Sequence, residues 1–314
     1  FTPDLVWAKH RNHGTAHSHN WADSTRGGTK IIYSNTTDAQ ETITNSIKTF
    51  DTGGFTVGSG GDANKDGDDY VAWCLKANGG TTSSNTDGNV TSTVQANTDA
   101  GFAIAKVPGS SSDQTFGHGL GKAPKWIIVK RLDSASNWGV YHESIGNTKR
   151  LLLDSGNGSA TSSGWWNNTS PTSTTVSVGT DGGHNGSTDD YVAYCWHEVP
   201  GFSKFGSYVG NGDGNGQFVY LGFRPAFILI KREASENWII ADYKRNSNDR
   251  TSPADSYILA NGNGAESTGI IYDLNQNGVK FRSSSQNESG NIYHYWAFAE
   301  QTGSSPFGTD VNAG

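Results

Sequence analysis

The chain has no methionine and only two cysteines in 314 residues, and 17% of it is charged. Each shortage excludes something. With no Met even at position 1, the sequence is expected to begin inside a longer product, as a mature cut or a fragment. No apolar run approaches the length of a membrane-spanning helix, and no charged-then-apolar signal segment opens the chain, so membrane insertion is not expected. Basic blocks are missing too. At a net charge of −7 no cluster of Lys and Arg is present to meet phosphates, and nucleic acid is not expected as a partner.

What is there is Gly, Ser, Thr and Asn in abundance and an aromatic content of 11%. That mixture suits short strands joined by polar turns, with helices rare. The hydrophobic fraction of 33% is low, but the modest net charge and many aromatics do not fit a disordered chain. A length of 314 residues favours two or three domains over one.

Internal repeats decide the organisation. A strand entered through proline recurs as Pro3-Asp-Leu-Val-Trp-Ala-Lys9, Pro124-Lys-Trp-Ile-Ile-Val-Lys130 and Pro225-Ala-Phe-Ile-Leu-Ile-Lys231. A second strand closes each copy: Tyr70-Val-Ala-Trp-Cys74, Tyr191-Val-Ala-Tyr-Cys195 and Tyr293-His-Tyr-Trp-Ala297. The marker lysine and closing tyrosine lie 61, 61 and 62 residues apart, although the copies start 121 and 101 residues apart. Asn64, Asn185 and Asn287 each precede the tyrosine by six residues, and Trp21, Trp138 and Trp238 follow the lysine after a polar loop.

Further strands are expected over 30–34, 150–154 and 256–260, then over 55–58, 176–179 and 279–282. The reading is therefore all-β, three tandem β-sandwich, jelly-roll-like modules over residues 1–98, 99–200 and 201–302, with a tail over 303–314. Gly101-Phe102 and Gly201-Phe202 open an extra strand ahead of the second and third copies. The first lacks it, because Phe1-Thr2-Pro3 matches Phe223-Arg224-Pro225. The proline-entered strand is apolar on both faces, with Trp126 and Ile128 opposed to Ile127 and Val129, so both faces need cover.

Cys74 and Cys195 occupy one slot in two copies, where the third has Ala297, which predicts two free buried thiols acting as small hydrophobes. Asp62, Asn64, Asp66 and Asp68 resemble the opening of a calcium loop, but the twelfth position is Trp73, so a plain hairpin turn is expected. His10, His13, His17 and His19 cluster at irregular spacing and are read as a solvated polar loop instead of a metal site. No cofactor is implied. The chain offers no nucleophile elbow, phosphate-cradling glycine motif or zinc signature, and His142 is matched by Asp242, so catalysis is not expected. Trp165, Trp166, Asn167 and Asn168 offer indole faces beside amides that suit a sugar; the alternative is that the tryptophans plug the sandwich edge.

Pro3–Lys9, Gly117-His-Gly-Leu-Gly-Lys-Ala-Pro124, Tyr191–Cys195, Phe205-Gly-Ser-Tyr-Val-Gly-Asn-Gly212 and Ala297-Phe-Ala-Glu300 resemble the repeat modules of marine bacteriophage virion proteins, labelled tail-fibre or structural. The resemblance covers Phe1 to about Glu300. His10 and Ala297 depart from the expected pattern. It implies an extracellular place on a virion, other virion proteins and a host-surface glycan or protein as partners, and a homo-oligomer, a trimer by analogy with fibres. It carries no catalytic residues. The function expected from it is receptor binding by a fibre component. The alternatives are a purely structural particle protein, such as a capsid decoration or tail appendage, and a glycan-cleaving tailspike.

Overall fold

A computed structural model describes residues 1–12, 16–245 and 254–299, and it is all-β, built of several sheets, none of them closed. The first repeat supplies β1 (Leu5–His10), β2 (Asn20–Asp23), β3 (Lys30–Tyr33), β4 (Glu41–Thr42), β5 (Ile47–Asp51), β6 (Gly54–Val57), the single turn α1 (Gly61–Asn64) and β7 (Tyr70–Leu75). The chain continues through β8 (Ser83–Asn85), β9 (Ser92–Asn97), β10 (Phe102–Pro108), β11 (Gln114–Gly117), β12 (Trp126–Arg131), β13 (Gly139–His142), β14 (Lys149–Leu152) and β15 (Ala160–Thr161). Then come α2 (Ser163–Trp166), β16 (Thr175–Val178), α3 (Gly182–Asn185) and β17 (Asp190–Trp196). The third repeat adds β18 (Ser203–Val209), β19 (Phe218–Tyr220), β20 (Pro225–Arg232), β21 (Ile239–Asp242), β22 (Ala254–Leu259), β23 (Ser267–Asn275), β24 (Gly278–Phe281) and β25 (Ile292–Ala299).

Three antiparallel sheets share one kernel. Their orders are β4-β3-β2-β1-β7, β15-β14-β13-β12-β17-β10-β9-β8 and β18-β25-β20-β21-β22-β23-β24-β19. In each, the proline-entered strand sits between the tryptophan strand and the closing tyrosine strand. The pairings Trp7 with Trp21 and Trp73, Ile128 with Val140 and Tyr194, and Leu229 with Ile240 and Trp296 occupy the same register. Two-stranded sheets β5-β6 and β11-β16 accompany the first two. Strands β8 and β9 precede the boundary expected at residue 98, yet they hydrogen-bond into the second repeat's sheet beside β10. Val94 on β9 is buried in that repeat's apolar cluster, which draws the segment across.

The two apolar faces of the proline-entered strands are covered differently. One face of all three meets in a single cluster holding Trp7, Trp21, Trp126, Trp138, Trp196, Trp238 and Trp296, each at most 2% exposed. Rings touch across every junction: Trp21 with Trp138, Trp126 with Trp296, and Trp73 with Phe227, at centroid distances of 5.4, 5.3 and 5.7 Å. Such pairs add about 0.5–1.5 kcal/mol each beyond the area they bury. The opposite faces point into three separate clusters, one per repeat.

The contacts between repeats follow a cycle. Lys9, Lys130 and Lys231 are completely buried, and each ammonium reaches a backbone carbonyl of another repeat: Asn263 at 3.4 Å, Thr37 at 3.0 Å and Gly156 at 3.3 Å. The same three carbonyls accept from the amides of His17, Ser136 and Glu236. Three residues further on, the amides of Gln40, Ser159 and Glu266 donate back to Leu132, Glu233 and Arg11, each two residues past a marker lysine. First joins second, second joins third, and third joins first. A buried charge is costly unless hydrogen-bonded, and here each lysine has at least two carbonyl partners.

Both cysteines are free thiols, Cys195 buried and Cys74 half-buried, and burial pushes the Cys74 thiol up to about 11.

Candidate functional site

The tryptophan pair singled out in the sequence lies inside the protein. Trp165 and Trp166 on α2 are 4% and 1% exposed. Trp165 stacks on His184 at 4.1 Å between centroids, and the Arg150 guanidinium lies 4.8 Å from its centroid. Trp166 packs edge-on against Tyr141. The indole faces that a sugar needs are thus occupied, and the arrangement is the plug, not the platform. Asn167 and Asn168 follow in the left-handed conformation, φ 49° and 46°, and end the short helix. Asn tolerates that region better than most residues.

The four residues of the calcium-like segment do not converge. Asp62 bonds His17, Asp68 bonds His10 at 2.8 Å and Lys65 at 3.3 Å, and Asn64 donates to the Gly58 carbonyl. Asp66 is exposed. Among the described residues no group of three or more His, Cys, Asp or Glu side chains is placed to hold a metal ion.

The histidine cluster corrects one expectation. His19 is interior, at 0% exposure, instead of belonging to a solvated loop, and His10, at the end of β1, is 1% exposed. His19 Nδ1 accepts from Trp7 Nε1 at 2.9 Å, while Nε2 donates to the Leu259 carbonyl at 3.0 Å. It bridges the first and third repeats, and its burial pushes its pKa down to about 3. His10 and His17 rings lie 4.5 Å apart, whereas His13 lies outside the described residues, as does the tail 303–314.

Two features escaped the sequence reading. The first is a polar network at the junction of the second and third repeats. Ser144 Oγ lies 2.7 Å from Nδ1 of both His142 and His294, and His294 Nε2 is 3.2 Å from Glu233, which also holds Lys149 at 2.8 Å. A hydroxyl, a base and an orienting carboxylate are the parts of an activated nucleophile. However, the backbone N–H of Ser144 is spent on His142 Nδ1, and the register positions of His142 in the other repeats carry the ion pairs Asp23–Arg26 and Asp242–Arg245. The network occupies, at the junction of the second and third repeats, the place that those ion pairs hold in the other two. Burial pushes His142 down to about 3 and also lowers His294.

The second is an open cleft of about 530 Å³ between the Gly-Leu-Gly-Lys turn ahead of β12 and the connection from β17 to β18. Lys122, Lys125, His197, Glu198, Lys204 and Leu221 line it. Lys125 pairs with Glu143 and Glu198 at 2.8 and 3.1 Å. The Lys204 ammonium donates to the Tyr220 carbonyl at 2.8 Å and lies 5.3 Å from the centre of the Tyr220 ring. That ring is 61% exposed, and Phe218, on the same strand, is 43% exposed. Lys204 beside the open Tyr220 ring, in a cleft that Lys122 also lines, can hold a ligand that is itself anionic and has an apolar face. The only sequence signal was a Lys in a glycine-rich turn and a Tyr on a strand, too common to notice.

A family model described as "Domain of unknown function (DUF7483)" matches residues 1–302. The chain belongs to this family. The match to DUF7483 runs through all three repeats as one unit. No curated protein and no solved structure matches the chain.

Proposed function

We propose that this DUF7483 chain is a non-enzymatic adhesion component of a bacteriophage particle, displayed outside the cell, and that the cleft beside Tyr220 takes an acidic saccharide of the host surface. Each repeat acts as one small jelly-roll-like sandwich, and the threefold arrangement that fibres make from three chains is here internal to one. The observation that carries the reading is the Lys204–Tyr220 pair: an exposed ring for stacking on the apolar face of a pyranose, beside an ammonium that lines the cleft together with Lys122. The likeness of the repeats to phage virion modules supports the location.

The test is binding to an array of neutral and uronate-bearing glycans. Retention of acidic glycans, lost in Tyr220→Ala and Lys204→Gln, is the expected result; no retention by the parent chain overturns the reading. A scaffold that binds only other virion proteins is the second reading, favoured by the outer edge of β7, which pairs with no strand among the described residues.

A further inference from the structure

Strand β7 ends its sheet, and among the described residues nothing pairs with its outer edge. Its equivalents β17 and β25 are interior strands, flanked by β10 and β18. The difference reaches every layer around β7. Ala72 is exposed, whereas Ala193 and Tyr295 are 0% and 4% exposed. Tyr70 and Cys74 are half-buried, while Tyr191, Cys195, Tyr293 and Ala297 are at most 1% exposed.

Asn185 and Asn287 are fully buried and fasten the turn that follows β10 or β18, accepting from the amides of Ser110 and Asn211 at 2.9 and 3.1 Å. Asn64, at the same position, is exposed, and its side chain donates to the Gly58 carbonyl of its own repeat. Phe1 is 59% exposed where Phe223 is 7% exposed. The first repeat's own apolar cluster contains five buried residues against 17 and 15 in the other two, so the shortfall is one of missing strands, not of a poorer β7.

We propose that β7 is an acceptor edge for a donor strand of the repeat's own Gly-Phe type, running antiparallel to it and entering the fold from the amino side of Phe1. The register of the other repeats defines its chemistry. Opposite Trp73 it carries a large apolar side chain, as Ile104 faces Tyr194 and Phe205 faces Trp296. Opposite Ala72 it carries a small residue, as Ala105 and Gly206 do, and opposite Tyr70 an apolar one, as Val107 and Tyr208 do. The turn after it is clipped by Asn64, and a second strand runs beside β6, as β11 runs beside β16 and β19 beside β24. Main-chain hydrogen bonds supply affinity in such strand addition and alternate side chains supply selectivity. In both flanked repeats the donor connects forward into the proline-entered strand, which is why the amino side of Phe1 is the point of entry. This inference is independent of the adhesion reading.

The test compares the unmodified chain with one in which a copy of residues 101–123 is joined directly to Pro3, replacing Phe1 and Thr2, and with the same fusion carrying Ala105→Pro in the copy. The readout is hydrogen exchange of the backbone amides of residues 70–75. Protection should rise about tenfold or more with the donor attached and return to the parent rate with the proline, which cannot donate to the ladder. A synthetic peptide of residues 101–117 added to the unmodified chain gives the same protection if the fusion fails to fold. Unchanged exchange with both fused and added donor overturns the proposal. So does concentration-dependent protection of β7 in the unmodified chain, which would mean that a second copy covers the edge.

Discussion

The ammonium of Lys130 lies 3.0 Å from the carbonyl oxygen of Thr37, a residue 93 positions earlier and in a different repeat. Lys9 and Lys231 make the same kind of bond to the repeats next in the cycle. A marker that looks like a surface lysine in the sequence is therefore a fastener between repeats.

Replacing Lys130 with Met keeps the apolar stem but removes the ammonium that bonds the Thr37 and Ser136 carbonyls, leaving Thr37 with the Ser136 amide. The expected loss is about 1–3 kcal/mol of unfolding free energy, measured in urea. Burial holds Lys9, Lys130 and Lys231 down to about 8 in the folded chain, below their ordinary 10.5. The unfolded chain then binds more protons between pH 8 and 10.5, so stability rises with pH in that range until tyrosines of the unfolded chain ionise near about pH 10. Lys130→Met should flatten that rise.

The junction of the second and third repeats should respond to acid. Folded His142 and His294 have pKa values below the ordinary 6.5, His142 at about 3. Between these values the unfolded state takes up protons that the native state refuses, so their contribution is present above pH 6.5 and is lost progressively as the pH falls toward 3. The double change His142→Asp and Ile145→Arg copies the Asp–Arg link of the other two junctions. It should shift an acid-unfolding midpoint, followed by tryptophan fluorescence, to lower pH; an unchanged midpoint would show that the histidines do not govern it.

Trp165→Ala empties the plug and should destabilise the protein by about 3–5 kcal/mol. Tyr220→Ala, at an exposed ring, should change stability by no more than about 0.5 kcal/mol while removing glycan retention. Thermal melts of the two variants separate the interior tryptophan from the surface tyrosine.

Gly139 lies under Trp165: a Cβ added there would sit 1.7 Å from the indole, which has no room to retreat. Gly139→Ala is expected to cost about 1–3 kcal/mol in chemical denaturation. Gly182→Ala, where an added Cβ meets nothing within 4 Å, serves as the control and should be near neutral.

The strands, their three shared registers and the free thiols were legible because each is written locally, in runs such as Trp126–Val129 and in the small slot of Cys195 and Ala297. The missing partner of the first closing strand was legible too, by comparing Phe1 with Phe223. What the residues did not disclose depends on contacts between distant positions. Nothing in Trp165-Trp166-Asn167-Asn168 says that His184 and Arg150 fill the stacking faces, and nothing near His19 points to the Leu259 carbonyl 240 residues away. The cleft was hidden for the same reason, since its lysines come from the turn ahead of β12 and from β18.

The cycle of lysine fasteners limits how this architecture can vary. In an open array of repeats, units can be added or removed at an end, because each unit touches only its neighbours. Here the third repeat returns to the first, so a two-repeat version would leave a gap in the tryptophan centre and a four-repeat version would have no place to enter it. The copy number is set at three by geometry, and diversification is left to the outward strands, turns and loops.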